Sequence, residues 1–145
     1  MNIITDHAII IIPIFVMIAA QTIKFSIFTI NHGWNPHYAL TPGHWPSAHA
    51  AFVSSLVVSV GFYDGTDSGI FAVATVLAII VIYDALRIRI HIGDQGRYLN
   101  MLVQELPVDK KKFPHLKERI GHYTGEIIGG VITGIILSTI TIALI

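Results

Sequence analysis

The sequence predicts an all-α membrane protein, because it is strongly apolar, sparsely charged and divided into long apolar runs. Hydrophobic residues make up 53% of the 145 residues and charged residues 12%, whereas soluble domains carry about a quarter charged residues. The mean hydropathy is +0.68. We expect one domain over residues 1–145, a helical bundle with about four transmembrane helices and additional interfacial helices.

The first apolar run covers residues 8–23 and, extended to Ile30, exceeds the roughly 20 residues that span a bilayer. Pro13 predicts a kink, which membrane helices tolerate. Lys24 closes the run, and its side chain either reaches back to the interface or belongs to a site. Residues 31–43, rich in Gly, Pro, His and aromatic residues, predict an interfacial loop.

The second run begins at Pro46-Ser47-Ala48-His49 and ends at Tyr63. Pro46 suits the first helical turn, and Ser47 is a good residue for starting a helix. The first amides of a helix have no partner inside it and favour an anion such as phosphate. A histidine beside them therefore suggests a phosphate-handling corner, whereas an ordinary helix start with a neutral histidine is the simpler interpretation of this stretch alone.

The third run, residues 70–82, leads into a motif that contains Asp84, Arg87 and Arg89. Asp84 and Arg89 form either a structural ion pair or a guanidinium fork for phosphate oxygens. The chain then becomes polar and basic over residues 90–119. Within that stretch, residues 97–106 carry apolar residues at helical spacing, which predicts a helix along the membrane surface.

The last run, residues 127–145, is uncharged and follows His122 and Glu126. A spacing of four places these two residues on one helix face. A carboxylate bonded to one imidazole nitrogen fixes the tautomer and makes the other nitrogen a better nucleophile, although a structural pair at a helix start is the alternative. The glycines of this segment favour close helix packing, and we expect a homodimer to use this glycine face; they are Gly121, Gly125, Gly129, Gly130 and Gly134.

The basic residues fall on one side of a four-span arrangement, which predicts that this side faces the cytoplasm from a bacterial-type plasma membrane. The formal net charge of zero argues against a nucleic-acid partner. The absence of cysteine excludes disulfides and thiolate metal sites. The N-terminus carries Asp6 and no basic stretch, so we expect no cleaved signal peptide.

The polar groups on the cytoplasmic side suit phosphoryl transfer without a metal or other cofactor. His122, oriented by Glu126, would attack phosphorus, while His49 would protonate the leaving oxygen and later deprotonate water. The phosphate oxygens would be bound by cations and helix amides. The candidates for this role are Lys24, Arg89, Arg119 and the amides of Ser47 and Ala48.

A different hypothesis treats Glu118, His122 and Glu126 as metal ligands on successive helical turns, joined by His49. It predicts that a chelator abolishes activity. Under the metal-free hypothesis Glu118 and Asp84 instead have supporting, structural roles, and a chelator has no effect.

Three motifs of the chain resemble those of the divergent branch of the PAP2 family, which is related to type 2 phosphatidic acid phosphatases and vanadium-dependent haloperoxidases. PSAHAA, YDALRIRI and KERIGHYTGEI stand where that branch has PSSHSA, YDAxGVRR and KExxGHTPxEV, in the same order and at similar spacing across nearly the whole chain. The resemblance implies an all-helical bundle that hydrolyses a phosphomonoester or diphosphate, often of a lipid, without a metal.

The resemblance also assigns roles by position. Lys24 matches the first-motif lysine, His49 the acid for the leaving group, and His122 the nucleophile. Glu126 stands where the wider superfamily usually has an aspartate, and Arg89 matches the first arginine of the YDAxGVRR signature.

The chain departs from the family pattern at three positions. Asn31 and Leu116 stand where the wider superfamily has arginines, and Arg87 replaces a glycine and is an additional candidate phosphate ligand. We expect a phosphatase for a phosphatidylglycerophosphate- or phosphatidate-like lipid. The missing arginines motivate the alternative, a catalytically silent lipid-phosphate binder or membrane scaffold.

Overall fold

A computed structural model of the chain describes residues 7–35 and 45–145, and all regular structure in these ranges is helical. The helices are α1 (Ala8–His32), α2 (Ala48–Tyr63), α3 (Gly69–Tyr83), α4 (Arg89–Glu105) and α5 (Thr124–Leu144). A π-helical turn, Asp84–Ile88, joins α3 to α4, and a short 3-10 turn, Lys110–Lys112, follows α4. The predicted all-α class is confirmed.

Three of the helices within residues 7–35 and 45–145 are long and apolar enough to cross a membrane. They are α1 with 25 residues, the continuous helix Gly69–Glu105 with 37 and α5 with 21. The fourth apolar helix, α2, has 16 residues, so at 1.5 Å per residue it is about 24 Å long and shorter than the roughly 30 Å hydrocarbon core. Because three of its helices can cross a bilayer, the protein is an integral membrane protein.

The helix predicted separately at residues 97–106 is not a separate element. Residues 97–105 form the second half of α4, which continues α3 through the π turn without a break. The predicted loop at 31–43 also begins later than expected, because α1 extends to His32 and ends at Gly33, whose φ is +83°. The remainder of that predicted loop, from residue 36 onward, lies outside the described residues.

The short helix α2 lies at the centre of the bundle, where it contacts α1, α3 and α5. Its buried positions are mostly small, with alanines and serines along its length. Ala48 and Ala51 pack against Ile12, Val16 and Ala20 of α1. Small residues let the neighbouring helices approach closely, which is how membrane helices gain contact without a hydrophobic driving force.

The glycines of α5 make this close approach on the other side of α2. A Cβ atom on Gly130 would lie 2.4 Å from the Ser47 carbonyl oxygen, and one on Gly134 would lie 2.5 Å from that of Ala51. The expected packing role of these glycines is confirmed. Their partner is α2 of the same chain, however, so the expectation that this face binds a second copy is wrong for these two positions.

The start of α2 differs in one detail from the sequence prediction. Ser47 is the N-cap, and its Oγ accepts a hydrogen bond of 3.3 Å from the Ala50 amide. Pro46 is buried and precedes the cap, instead of occupying the first helical turn. The Ser47 amide donates to the Glu126 carbonyl, so the start of α2 lies beside the first turn of α5.

Candidate active site

The expected pair of His122 and Glu126 forms, but by a different local geometry. α5 begins at Thr124, so His122 lies before the helix and not on its face. Glu126 reaches back toward the helix start, where its Oε2 accepts a hydrogen bond of 3.0 Å from the Tyr123 amide. The same oxygen lies 3.0 Å from His122 Nδ1. With the proton on Nδ1 donated to this carboxylate, the lone pair resides on Nε2.

Both members of the pair are buried, with His122 5% and Glu126 8% exposed. Burial lowers the pKa of His122, and the hydrogen bond that His122 donates to Glu126 opposes this effect without cancelling it. His122 is therefore neutral at pH 7, since its ordinary pKa is already about 6.5. A neutral imidazole with a fixed tautomer is the form that a nucleophile requires.

Arg119 contacts the other oxygen of the same carboxylate. Its Nη2 lies 2.9 Å from Glu126 Oε1, and its guanidinium lies 4.7 Å from the centroid of the Tyr123 ring. The sequence suggested Arg119 as a phosphate ligand, and the structure shows that it has Glu126 as a partner. The arginine compensates the charge of the carboxylate, which is costly to bury without such a partner.

The π-helical turn contacts the residues just before α5. The His122 amide donates a hydrogen bond of 3.2 Å to the Ala85 carbonyl. Gly121 permits this approach, because a Cβ there would lie 2.6 Å from Ile90 Cγ1 and 3.2 Å from the Ala85 oxygen. Turns of this π type occur often at functional sites, and this one brings the YDALRIRI motif against His122.

Arg89 and Asp84 form the ion pair that was one of the two interpretations of their spacing. Arg89 Nε donates to Asp84 Oδ2, and about a third of each side chain is exposed. A guanidinium has five N–H groups, so a bond through Nε leaves the two terminal NH₂ groups to face another ligand. The ion pair and a phosphate-binding role are therefore compatible.

Lys24 is buried, with 5% of its surface exposed, although it lies in the second half of a membrane-spanning helix. The alternative that its side chain reaches back to the interface is therefore wrong. The charge of Lys24 acts on Glu126, on His122 and on His49. A buried ammonium is expensive in a membrane helix and usually marks a site.

His49 lies on the exposed face of the first turn of α2. Its ring is within electrostatic range of His122, Lys24, Arg89 and Asp84. The fold therefore brings together the two histidines, the lysine and the arginine that are far apart in the sequence.

The amide end of α2 is only partly available to a ligand. The Ser47 amide donates a hydrogen bond of 3.0 Å to the Glu126 carbonyl, and the Ser47 hydroxyl caps the helix. The prediction that the Ser47 amide binds phosphate is therefore wrong for the described conformation. Ala48 is the first residue of α2, so its amide has no acceptor inside the helix.

Glu118 lines a cavity together with Arg119 and His122. Arg87 is exposed on the π turn, and Glu118 accepts a hydrogen bond of 2.8 Å from Asn100 Nδ2. Glu118 and His122 both precede α5, so they do not occupy successive turns of one helix with Glu126 as the metal hypothesis required. Across residues 7–35 and 45–145, no three His, Asp or Glu side chains group as a metal site.

Three residues of α4 contact the segment before α5 and carry no motif in the sequence. They are Gly93, Gly96 and Asn100. Two glycines three residues apart on an otherwise amphipathic helix are the only sequence signal for this contact, since they mark a place where another backbone can approach.

Comparison with known proteins gives two matches and one negative result. The model of the Divergent PAP2 family matches residues 5–137. The uncharacterized membrane protein YuiD of Bacillus subtilis (strain 168) is 34% identical over 137 residues, which cover 86% of this chain and 87% of YuiD. No solved structure matches the chain.

Proposed function

We propose that this chain, which belongs to the divergent PAP2 family, is a metal-independent membrane phosphatase that hydrolyses the phosphomonoester of a lipid. The observation that supports this most directly is the buried His122–Glu126 pair, with a hydrogen bond of 3.0 Å and Arg119 on the other carboxylate oxygen. The cationic groups Lys24 and Arg89 act on the same imidazole. Together they supply a nucleophile and an electrostatic environment for a phosphate dianion.

In the first step, Nε2 of His122 attacks phosphorus in line with the ester oxygen. The N–P bond forms as the P–O bond to the lipid alcohol breaks. His49, protonated at this stage, gives its proton to the departing oxygen, so the lipid leaves as a neutral alcohol. Glu126 stabilises the positive charge that develops on the His122 ring.

In the second step, water attacks the phosphohistidine. The neutral His49 takes a proton from that water, and the resulting hydroxide forms the new P–O bond as the P–N bond breaks. The products are inorganic phosphate and His122 with its lone pair restored on Nε2. Lys24, Arg89 and the Ala48 amide bind the equatorial oxygens in both steps.

The distribution of charge supports a substrate in the cytoplasmic leaflet. The π turn, α4 and the following segment carry most of the basic residues, and the candidate site lies beside them. Basic segments remain on the cytoplasmic side of a membrane. A phosphatidate- or phosphatidylglycerophosphate-like lipid presents its phosphate there.

The test is phosphate release from a panel of lipid phosphates by the purified protein in detergent, with EDTA present. We expect wild-type activity to persist in EDTA and His122→Ala to lower kcat by about a thousandfold or more, as removal of a nucleophile does. His91→Ala is the matched control, because His91 is an exposed histidine on α4. Full turnover by a folded His122→Ala variant would contradict the mechanism.

Two other results would replace the proposal. Loss of all activity in EDTA would favour metal chemistry. A folded wild-type protein that binds these lipids through Lys24 and Arg89 but releases no phosphate would be the silent binder.

A further inference from the structure

The segment of residues 116–122 carries Arg119 and His122, and we propose that Asn100 on α4 is a positioning residue for this segment. The inference rests on the proposed function only where it predicts that the position of His122 affects turnover. The contact itself is independent of any reaction.

Asn100 contacts the segment through all of its amide polar atoms. Its Oδ1 accepts a hydrogen bond of 3.0 Å from the Leu116 amide, and its Nδ2 donates one of 2.9 Å to the Leu116 carbonyl. The same Nδ2 donates to Glu118 Oε1 at 2.8 Å. One side chain thus pairs with both backbone groups of Leu116, which fixes the distance and the rotation of the segment relative to α4.

Two glycines let the rest of the segment lie directly on the helix backbone. A Cβ on Gly96 would lie 2.8 Å from the Lys117 carbonyl oxygen, and one on Gly93 would lie 2.4 Å from that of Glu118. These positions are one and two turns before Asn100 on α4. The segment therefore follows the helix from Asn100 back to the π turn, where the His122 amide meets Ala85.

These contacts with α4 matter because the first residues of the segment lie at the surface. Residues 116–119 are exposed and have no regular secondary structure. Arg119 and His122 lie 2.9 and 3.0 Å from Glu126. To keep these two bonds, the segment must hold one position relative to the start of α5. A displacement of about 1 Å at a reacting group can cost about 100-fold in rate.

The test compares Asn100→Ala with Gln104→Ala in the phosphate-release assay. Gln104 is an exposed amide one turn further along α4, so its replacement is the matched control. We expect Asn100→Ala to lower kcat at least about tenfold, since His122 is displaced, and to leave KM within about twofold, since the phosphate ligands remain. Gln104→Ala should match wild type.

Two variants that exchange the amide and the carboxylate of the Asn100–Glu118 contact distinguish positioning from loss of the fold. Asn100→Asp places two carboxylates together at Glu118 and should lower kcat. Adding Glu118→Gln returns an N–H donor to that contact, so the double variant should recover part of the lost kcat. A double variant no more active than Asn100→Asp alone would contradict the role of this contact.

Hydrogen–deuterium exchange of the unliganded proteins tests the contact without any reaction. We expect Asn100→Ala to speed exchange of the hydrogen-bonded amides of Leu116 and His122 at least about tenfold, since opening of a locally held segment governs their protection, and to leave residues 127–140 unchanged. Unchanged exchange at the His122 amide would overturn the inference. Faster exchange in a protein without phosphatase activity would retain the positioning contact and remove only the proposed function.

Discussion

Glu126 is the residue on which the candidate site depends most. Its two carboxylate oxygens contact Arg119, His122 and the Tyr123 amide, and its carbonyl accepts the Ser47 amide. It thereby joins the segment before α5 to the start of α2. A carboxylate near a membrane core is costly, and these hydrogen bonds offset that cost while they fix the His122 tautomer.

The pH dependence of the reaction should report the environment of His122. Burial lowers the pKa of His122, the contact with Glu126 raises it in part, and the charges of Lys24 and Arg89 lower it further. The reactive form is neutral, so activity should be retained as pH falls to the ordinary value of about 6.5 and be lost below it. A profile of kcat/KM against pH measures this loss as the acidic limb of the curve.

Glu126→Gln removes the charge that raises this pKa, so the acidic limb should move to lower pH. The same change should lower kcat by about 100-fold or more, since an amide cannot stabilise the positive imidazole ring. Glu105→Gln is the control carboxylate, because Glu105 is exposed at the end of α4. An acidic limb that moves to higher pH in Glu126→Gln would contradict the assignment.

Sequence spacing was sufficient to predict contacts between residues that are a few positions apart in the chain. The members of the pairs His122–Glu126 and Asp84–Arg89 are four and five residues apart, so they are within reach along the chain, although His122 lies before α5 and Asp84 begins the π turn. The burial of Lys24 and the bond from Ser47 to the Glu126 carbonyl depend on how helices pack. No local pattern contains that information.

Among the elements, α5 shows how a packing signal gives a role without giving a partner. Its glycine spacing predicted close backbone approach but was equally compatible with a second copy of the chain. The partner is α2, because the small residues at Ser47 and Ala51 lie opposite Gly130 and Gly134. This packing places the amide end of α2 beside Glu126.

Replacement of Gly130 by alanine should separate these two helices. The added Cβ would lie 2.4 Å from the Ser47 carbonyl oxygen, so we expect a loss of about 1–3 kcal/mol, as overpacking usually costs. Thermal unfolding in detergent measures this as a lower Tm. Gly125→Ala is the control, because nothing lies within 4 Å of a Cβ there; an equal Tm for the two variants would refute the packing role.

The continuity of α3, the π turn and α4 was not predictable from the hydropathy pattern. The change to polar residues after Ile90 suggested a new element, yet no proline interrupts residues 69–105. The backbone therefore continues as a helix while its environment changes. The segment at 116–122 packs on this polar half of the helix.

At the scale of the whole molecule, this long helix determines what lies outside the hydrocarbon core. Its 37 residues extend about 55 Å at 1.5 Å per residue, well beyond the roughly 30 Å of the core. Since α3 is the apolar half, α4 and the lysine turn Lys110–Lys112 that follows it extend into the aqueous or headgroup region. The candidate site lies at the π turn, between the two regions.

The orientation of the site can be tested by cysteine labelling, because the chain has no cysteine of its own. We expect a single Lys111→Cys to react with an impermeant maleimide only after the membrane is opened, since basic segments stay cytoplasmic. Asp67→Cys, in the turn between α2 and α3, should react in intact cells and is the matched control. The reverse pattern would place His122 on the outer side, where the phosphatidate-like lipids of the cytoplasmic leaflet are out of reach and a lipid phosphate of the outer leaflet becomes the substrate to test.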